Sequence, residues 1–143
     1  MSVAYPRHRL PDFSVGQSRE FAFAVSVEDL SAFILASGDI HPLHTDSEFA
    51  VQRGFRGILL HGMCIAARCS HFITREFVGS HGLLVALGLD FRRPAFVDDA
   101  LHWRAEVVRV DTIADIVEVK WHVADGAGAV VQRGTACAWI GSD

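Results

Sequence analysis

Between Gln17 and Val27, the apolar residues Phe21, Phe23, Val25 and Val27 alternate with small or polar ones, the two-residue period of a half-buried strand. Ser26, with Asp29 three residues on, then gives a capping signature, and Leu30, Phe33 and Ile34 share one face of a helix that runs to Gly38. Asp46 can cap a second, brief helix over Ser47–Arg53, which Gly54 ends. An apolar approach from Gly57 to Leu60 leads into His61-Gly62-Met63. The segment from there to about Phe77 predicts a mostly buried helix, on the pattern of Met63, Ala66, Ala67, Ser70, Phe72, Ile73 and Phe77. Beyond Gly79 the period changes, and Leu83–Arg92, Leu101–Val110, Asp115–Ala124 and Ala129–Ile140 read as strands. The last two flank Asp125-Gly126-Ala127-Gly128, a hairpin signal. Residues 1–15 read as an extended lead-in. One strand, a buried helix and four further antiparallel strands predict an α+β fold, a single curved sheet wrapped around the helix.

With 143 residues the chain has the size of one domain, taken as residues 1–143. Half of its residues are apolar and ten are Phe, more than a small core needs, so an oligomer with an apolar slot for a ligand is expected. The longest apolar runs, Gly57 to Leu60 and Leu83 to Leu89, fall well short of the roughly 20 residues that cross a bilayer. The amino terminus carries Pro and Arg where a secretory signal has its apolar stretch, which points to the cytoplasm. A net charge of −4 argues against a nucleic-acid partner. Arg92-Arg93 reads first as a pair of solvated strand-edge charges and second as an anion contact. Cys64, Cys69 and Cys137 are odd in number and lack a C-x-x-C pair, so they read as small buried apolar residues. Trp103, Trp121 and Trp139 fall on predicted strands and read as packing residues. His71, His81, His102 and His122 carry no functional signal.

Candidate chemistry is concentrated in Ser37-Gly38-Asp39-Ile40-His41-Pro42-Leu43-His44, a short loop bent by Gly38 and Pro42. A loop this short can aim the carboxylate of Asp39 and the imidazole of His44 at one point, where together they can hold a water and move its proton. Taken alone, an Asp in a Gly/Pro loop more often satisfies local backbone donors. His41 and His44, with Asp39 and His61, could also present nitrogen and oxygen ligands to a metal. Pro42 between the two histidines is expected to prevent their helical presentation, and no metal is expected.

With its matching partners elsewhere, this loop resembles the hydratase signature S-G-D-x-N-P-x-H of the MaoC-like dehydratases and (R)-specific enoyl-CoA hydratases, a hotdog-fold family. The likeness continues through Phe49-Ala50, His61-Gly62-Met63 and Ser70 to Phe91-Arg92-Arg93-Pro94-Ala95-Phe96-Val97-Asp98-Asp99, covering about Gln17 to Ile140. The resemblance implies that Asp39 and His44 are the catalytic pair, that the Gly62 N–H holds a thioester oxygen, and that Ser70 orients Asp39 by a hydrogen bond. His61, Met63, Phe49 and Arg92 are expected near the substrate. His41 stands where the signature has Asn and bears on specificity, while Asp98 replaces a turn Gly, a change that Asp tolerates.

The implied activity is reversible hydration of a trans-2-enoyl thioester to an (R)-3-hydroxyacyl thioester, carried by coenzyme A or an acyl carrier protein. No cofactor is expected beyond that substrate, and at least a homodimer is implied. Addition from one loop should be syn. Two alternatives share the ligand: a hotdog thioesterase, for which the helix offers only Glu76 near its far end, and a noncatalytic acyl-thioester-binding subunit, which would lack the Asp/His pair.

Overall fold

The computed structural model describes residues 4–141, which form a five-stranded antiparallel sheet with one long helix lying across it. The strands are β1 (Ser18–Phe23), β2 (Leu83–Phe91), β3 (Leu101–Asp111), β4 (Ile116–Ala124) and β5 (Val130–Trp139), in the spatial order β1-β3-β4-β5-β2. Helices α1 (Val27–Ser37), α2 (Pro42–Thr45), α3 (Ser47–Gln52) and α4 (Gly62–Ile73) all fall between β1 and β2. Those two strands are the opposite edges of the sheet, so the chain must cross its face, and α4 is the element that does so. This is the predicted α+β arrangement.

The sheet follows the alternation in its strands. On β3, Leu101, Trp103, Ala105 and Val107 are buried while His102, Arg104 and Glu106 are exposed; on β4, Val117, Val119, Trp121 and Val123 are buried. These side chains form one core with Cys64, Ile65, Cys69, Phe72 and Ile73 of α4. Phe72 packs at 5.4 Å from the ring of Trp103 and 5.0 Å from that of Phe21, closing the core beside β1. Burial pushes the Cys69 thiol up to about 12 and raises that of Cys64 as well, as expected of cysteines that pack rather than react.

Several boundaries differ from the sequence reading. β1 ends at Phe23 rather than Val27, because the carbonyl of fully buried Val25 is taken by the N–H of Asp98 and Ser26 turns to cap α1. The lead-in contains a single 3-10 turn, Leu10–Asp12, closed by a capping box between Arg9 and Asp12; the part of the lead-in over residues 1–3 lies outside the described residues. α4 passes into a π-helical turn at Thr74–Val78. Nor is α4 buried throughout: Met63 is 53% exposed and Ala67 is exposed, so one stripe of the helix faces outward. Asp98 adopts φ 63°, the left-handed turn its side chain was expected to tolerate.

Candidate active site

The site is assembled where the end of α1, the α2 turn and the start of α4 meet. Ser26 accepts from the Asp29 N–H at 3.1 Å and Asp29 accepts from Ser26, fixing the start of α1. Gly38 then ends it in the left-handed conformation, φ 73°, where a side chain would be strained. The chain emerges at Asp39, whose carboxylate accepts from the His41 N–H at 3.2 Å.

Here the structure corrects the reading of Pro42. Rather than preventing helix, Pro42 opens it: it is the first residue of α2, where its missing N–H costs nothing. His41 caps that turn, its Nδ1 accepting from the Leu43 N–H at 3.2 Å. A short polar side chain such as Asn commonly caps helices, so His41 in the signature's Asn position retains the local geometry.

The segment before α4 carries the turn into place. Leu59 donates its N–H to the Leu43 carbonyl, and Leu60 donates to the Ala95 carbonyl at 2.8 Å. The Leu59 carbonyl lies 2.7 Å from Nδ1 of His44. A carbonyl only accepts, so Nδ1 carries the proton and Nε2 of neutral His44 has a free lone pair. Partial burial is the largest influence on this imidazole and lowers its pKa, outweighing the opposing effects of the Leu59 carbonyl and the Asp39 carboxylate. His44 is therefore a neutral base at neutral pH.

Asp39, His44 and His61 each place one carboxylate oxygen or ring nitrogen within 4.8 Å of the others. A water hydrogen-bonded to two groups at about 2.8 Å spans roughly that separation. The rings of His44 and His61 stack at 3.7 Å with 26° between their planes.

Gly62 is the first residue of α4, in the turn whose N–H groups have no intrahelical carbonyl and where the helix dipole is positive. Its own carbonyl accepts from Nε2 of Gln132, a residue only 1% exposed that the sequence reading passed over. No periodicity marks Gln132, because both it and Val131 are buried in succession on β5. The Phe91 ring lies against Gly62 so closely that a Cβ there would run into it. A cleft of about 330 Å³ opens at this point, walled by Leu60, Gly62, Ile65 and Phe91, with Arg92 and Arg93 at its edge. Asp39 and His44 are not among the residues that line it, so Gly62 and Leu59 are its links to the loop.

The chain matches the model of the "MaoC like domain" family over residues 12–127. It belongs to that family. It is 27% identical over 122 residues to the (R)-specific enoyl-CoA hydratase of Aeromonas caviae, covering 85% of this chain and 91% of that protein. It is also 36% identical over 76 residues to a mitochondrial 3-hydroxyacyl-[acyl-carrier-protein] dehydratase of Arabidopsis thaliana, covering 53% of this chain and 45% of that protein. Its fold superimposes on the R-hydratase PhaJ1 of Pseudomonas aeruginosa with a TM-score of 0.85 at 28% identity, over 94% of this chain and 86% of that one. The MaoC-like domain here is thus a hotdog fold of the hydratase and dehydratase family.

Other residues stand differently from expectation. Ser70 lies more than two turns along α4 from Gly62, about 12 Å at 1.5 Å per residue, and among the described residues it makes no hydrogen bond to Asp39. That role was implied by the family resemblance and not by the place of Ser70 on the helix. His61, expected beside substrate, is 3% exposed and lies behind His44. Met63 is exposed next to Gly62, and Arg92 lines the cleft. Phe49, on α3, is half-buried and takes Arg53 over its ring at 5.9 Å.

Proposed function

We propose that this MaoC-like protein adds water reversibly to a trans-2-enoyl thioester, with coenzyme A as the favoured carrier, giving the (R)-3-hydroxyacyl thioester. The observation that carries the reading is a ring nitrogen of His44 within 4.8 Å of an Asp39 carboxylate oxygen, in one cluster with His61, the residue that opens α4. Asp39 holds the water through one O–H and Nε2 of His44 accepts the other proton. The water oxygen bonds to C3, the C2–C3 π pair shifts towards the carbonyl, and the enolate oxygen receives the Gly62 N–H. The imidazolium then returns its proton to C2 on the same face, so addition is syn, and the reverse sequence dehydrates. Loss of one such oxyanion donor costs about 10²- to 10³-fold in rate. No cofactor enters this reaction, and the (R) label rests on the family likeness.

Arg92 and Arg93 at the cleft edge fit the phosphates of coenzyme A. The near full-length match to a hydratase acting on enoyl-CoA favours that carrier over an acyl carrier protein. A thioesterase finds less support. Glu76, the carboxylate that it would need, sits beyond the far end of α4 and is paired with Arg19 at 3.3 Å and Arg75 at 3.5 Å. The presence of both Asp39 and His44 likewise favours catalysis over binding alone.

The decisive experiment follows the ultraviolet absorbance of conjugated enoyl thioesters across acyl lengths, on coenzyme A and on an acyl carrier protein. Loss of absorbance without release of free thiol is expected. Thiol release instead, or no turnover on either carrier, defeats the reading.

A further inference from the structure

His61 is a buried titratable group that the reaction above leaves unused. Its Nε2 lies 3.0 Å from the main-chain carbonyl of Asp39 and 3.6 Å from Oδ2 of the same residue. The carbonyl can only accept, so Nε2 carries the proton and Nδ1 of neutral His61 is the bare nitrogen. That Nδ1 is buried and has no hydrogen-bond partner among the described residues. One face of the ring covers His44 at 3.7 Å, and the Phe33 ring lies 5.0 Å away. The next residue in the chain is Gly62.

From this geometry we infer that His61 is the positioning residue that anchors the main chain of Asp39 to the start of α4. Residues Ser37 to Pro42 are all exposed, so the Asp39 main chain gains little from burial; the N–H of His61 anchors it to the protein body. The His44 ring is held by its own bond to the Leu59 carbonyl, so its orientation does not depend on the ring of His61. A misplacement of about 1 Å at such a site can cost 10²-fold in rate. His61 need not touch substrate to have this effect.

The inference rests on the proposed hydratase reading for its kinetic arm, and its test includes an arm that does not. His61→Gln keeps a donor near the place of Nε2 but loses the ring; His61→Phe keeps the ring and its stack but loses the donor. If His61 anchors Asp39, His61→Gln retains kcat within roughly 10-fold while His61→Phe loses about 10²-fold, with KM changing little in either. A purely packing role predicts the opposite order, with the Phe variant near wild type, and that result overturns the inference. Independently, imidazole ¹⁵N spectra of the wild-type protein should show His61 protonated at Nε2 and His44 at Nδ1. The reverse tautomer at His61 overturns the inference whatever the substrate proves to be. Wild-type protein inactive on every enoyl thioester, with the expected tautomers, would instead count against the hydratase reading and leave the anchoring geometry standing.

Discussion

At the scale of single residues, the proposed reaction assigns Asp39, His44 and Gly62 distinct roles that substitutions can test. Asp39 is 54% exposed at its side chain, so Asp39→Asn should leave folding intact by circular dichroism while hydration of a short enoyl-CoA falls at least 10²-fold, the lower range for a lost proton-transfer group. His44→Ala should behave alike, and near-wild-type turnover in either variant would remove the pair from the mechanism. Gly62→Ala keeps the N–H but sets a Cβ against Phe91 and in the path of the substrate. Phe91 is 57% exposed and can swing aside, so the expected outcome is a folded protein with kcat/KM reduced by about 10²-fold. The pH dependence has a definite sign. Burial holds His44 below its ordinary imidazole value, and burial likewise lowers His122, so both favour the neutral form in the folded state. Their contribution to stability is complete above the unfolded value of about 6.5 and is lost as pH falls through the folded values. Thermal melts should therefore show Tm dropping below about pH 6.5, with a shallower drop in a His44→Gln, His122→Gln double variant. An equal drop in both proteins would contradict this assignment. Asp39 and His44 were legible because a carboxylate and an imidazole share one short loop. Gln132 and the anchoring geometry of His61 were not, since both depend on which strand or loop happens to pass the start of α4.

At the scale of elements, the turn that carries Asp39 and His44 depends on helices whose ends are set by local chemistry. The capping box of Ser26 and Asp29, read correctly from sequence, fixes α1, and Gly38 in its left-handed conformation releases the chain towards Asp39. Ser26→Ala should cost about 1 kcal/mol and lower Tm by a few degrees, with activity on a saturating enoyl thioester largely retained at low temperature. A loss as large as that of a core truncation would mean that the cap does more than start a helix. The loop over residues 37–44 proved to contain a helical turn, because Pro is as suited to the first position of a helix as it is unsuited to the interior.

At the scale of the whole molecule, the open question is what covers the edge of the sheet. β2 pairs only with β5 among the described residues, and along it Leu83, Val85 and Leu87 are 60%, 53% and 38% exposed. A long apolar edge is a template for another strand, and the exposed stripe of α4 at Met63 and Ala67 adds to the uncovered surface. We propose that a second copy of the chain pairs along β2, as the composition led us to expect. Light scattering should then report a dimer for the wild type and a monomer for Val85→Lys, whose side chain is already exposed and leaves the core untouched. A monomeric wild type would refute the pairing. Among the described residues no helix is long and apolar enough to cross a membrane. The sequence by itself determined the elements, their order and the placing of Asp39 and His44 in one short loop, because periodicity, caps and turns are local. The tertiary structure decided how those parts meet: β1 and β2 as opposite edges with α4 crossing between them, Leu59 and His61 holding the catalytic turn, and Phe91 and Gln132 enclosing Gly62. Those contacts join residues far apart in the chain, and no local pattern records which distant neighbours a folded core will bring together.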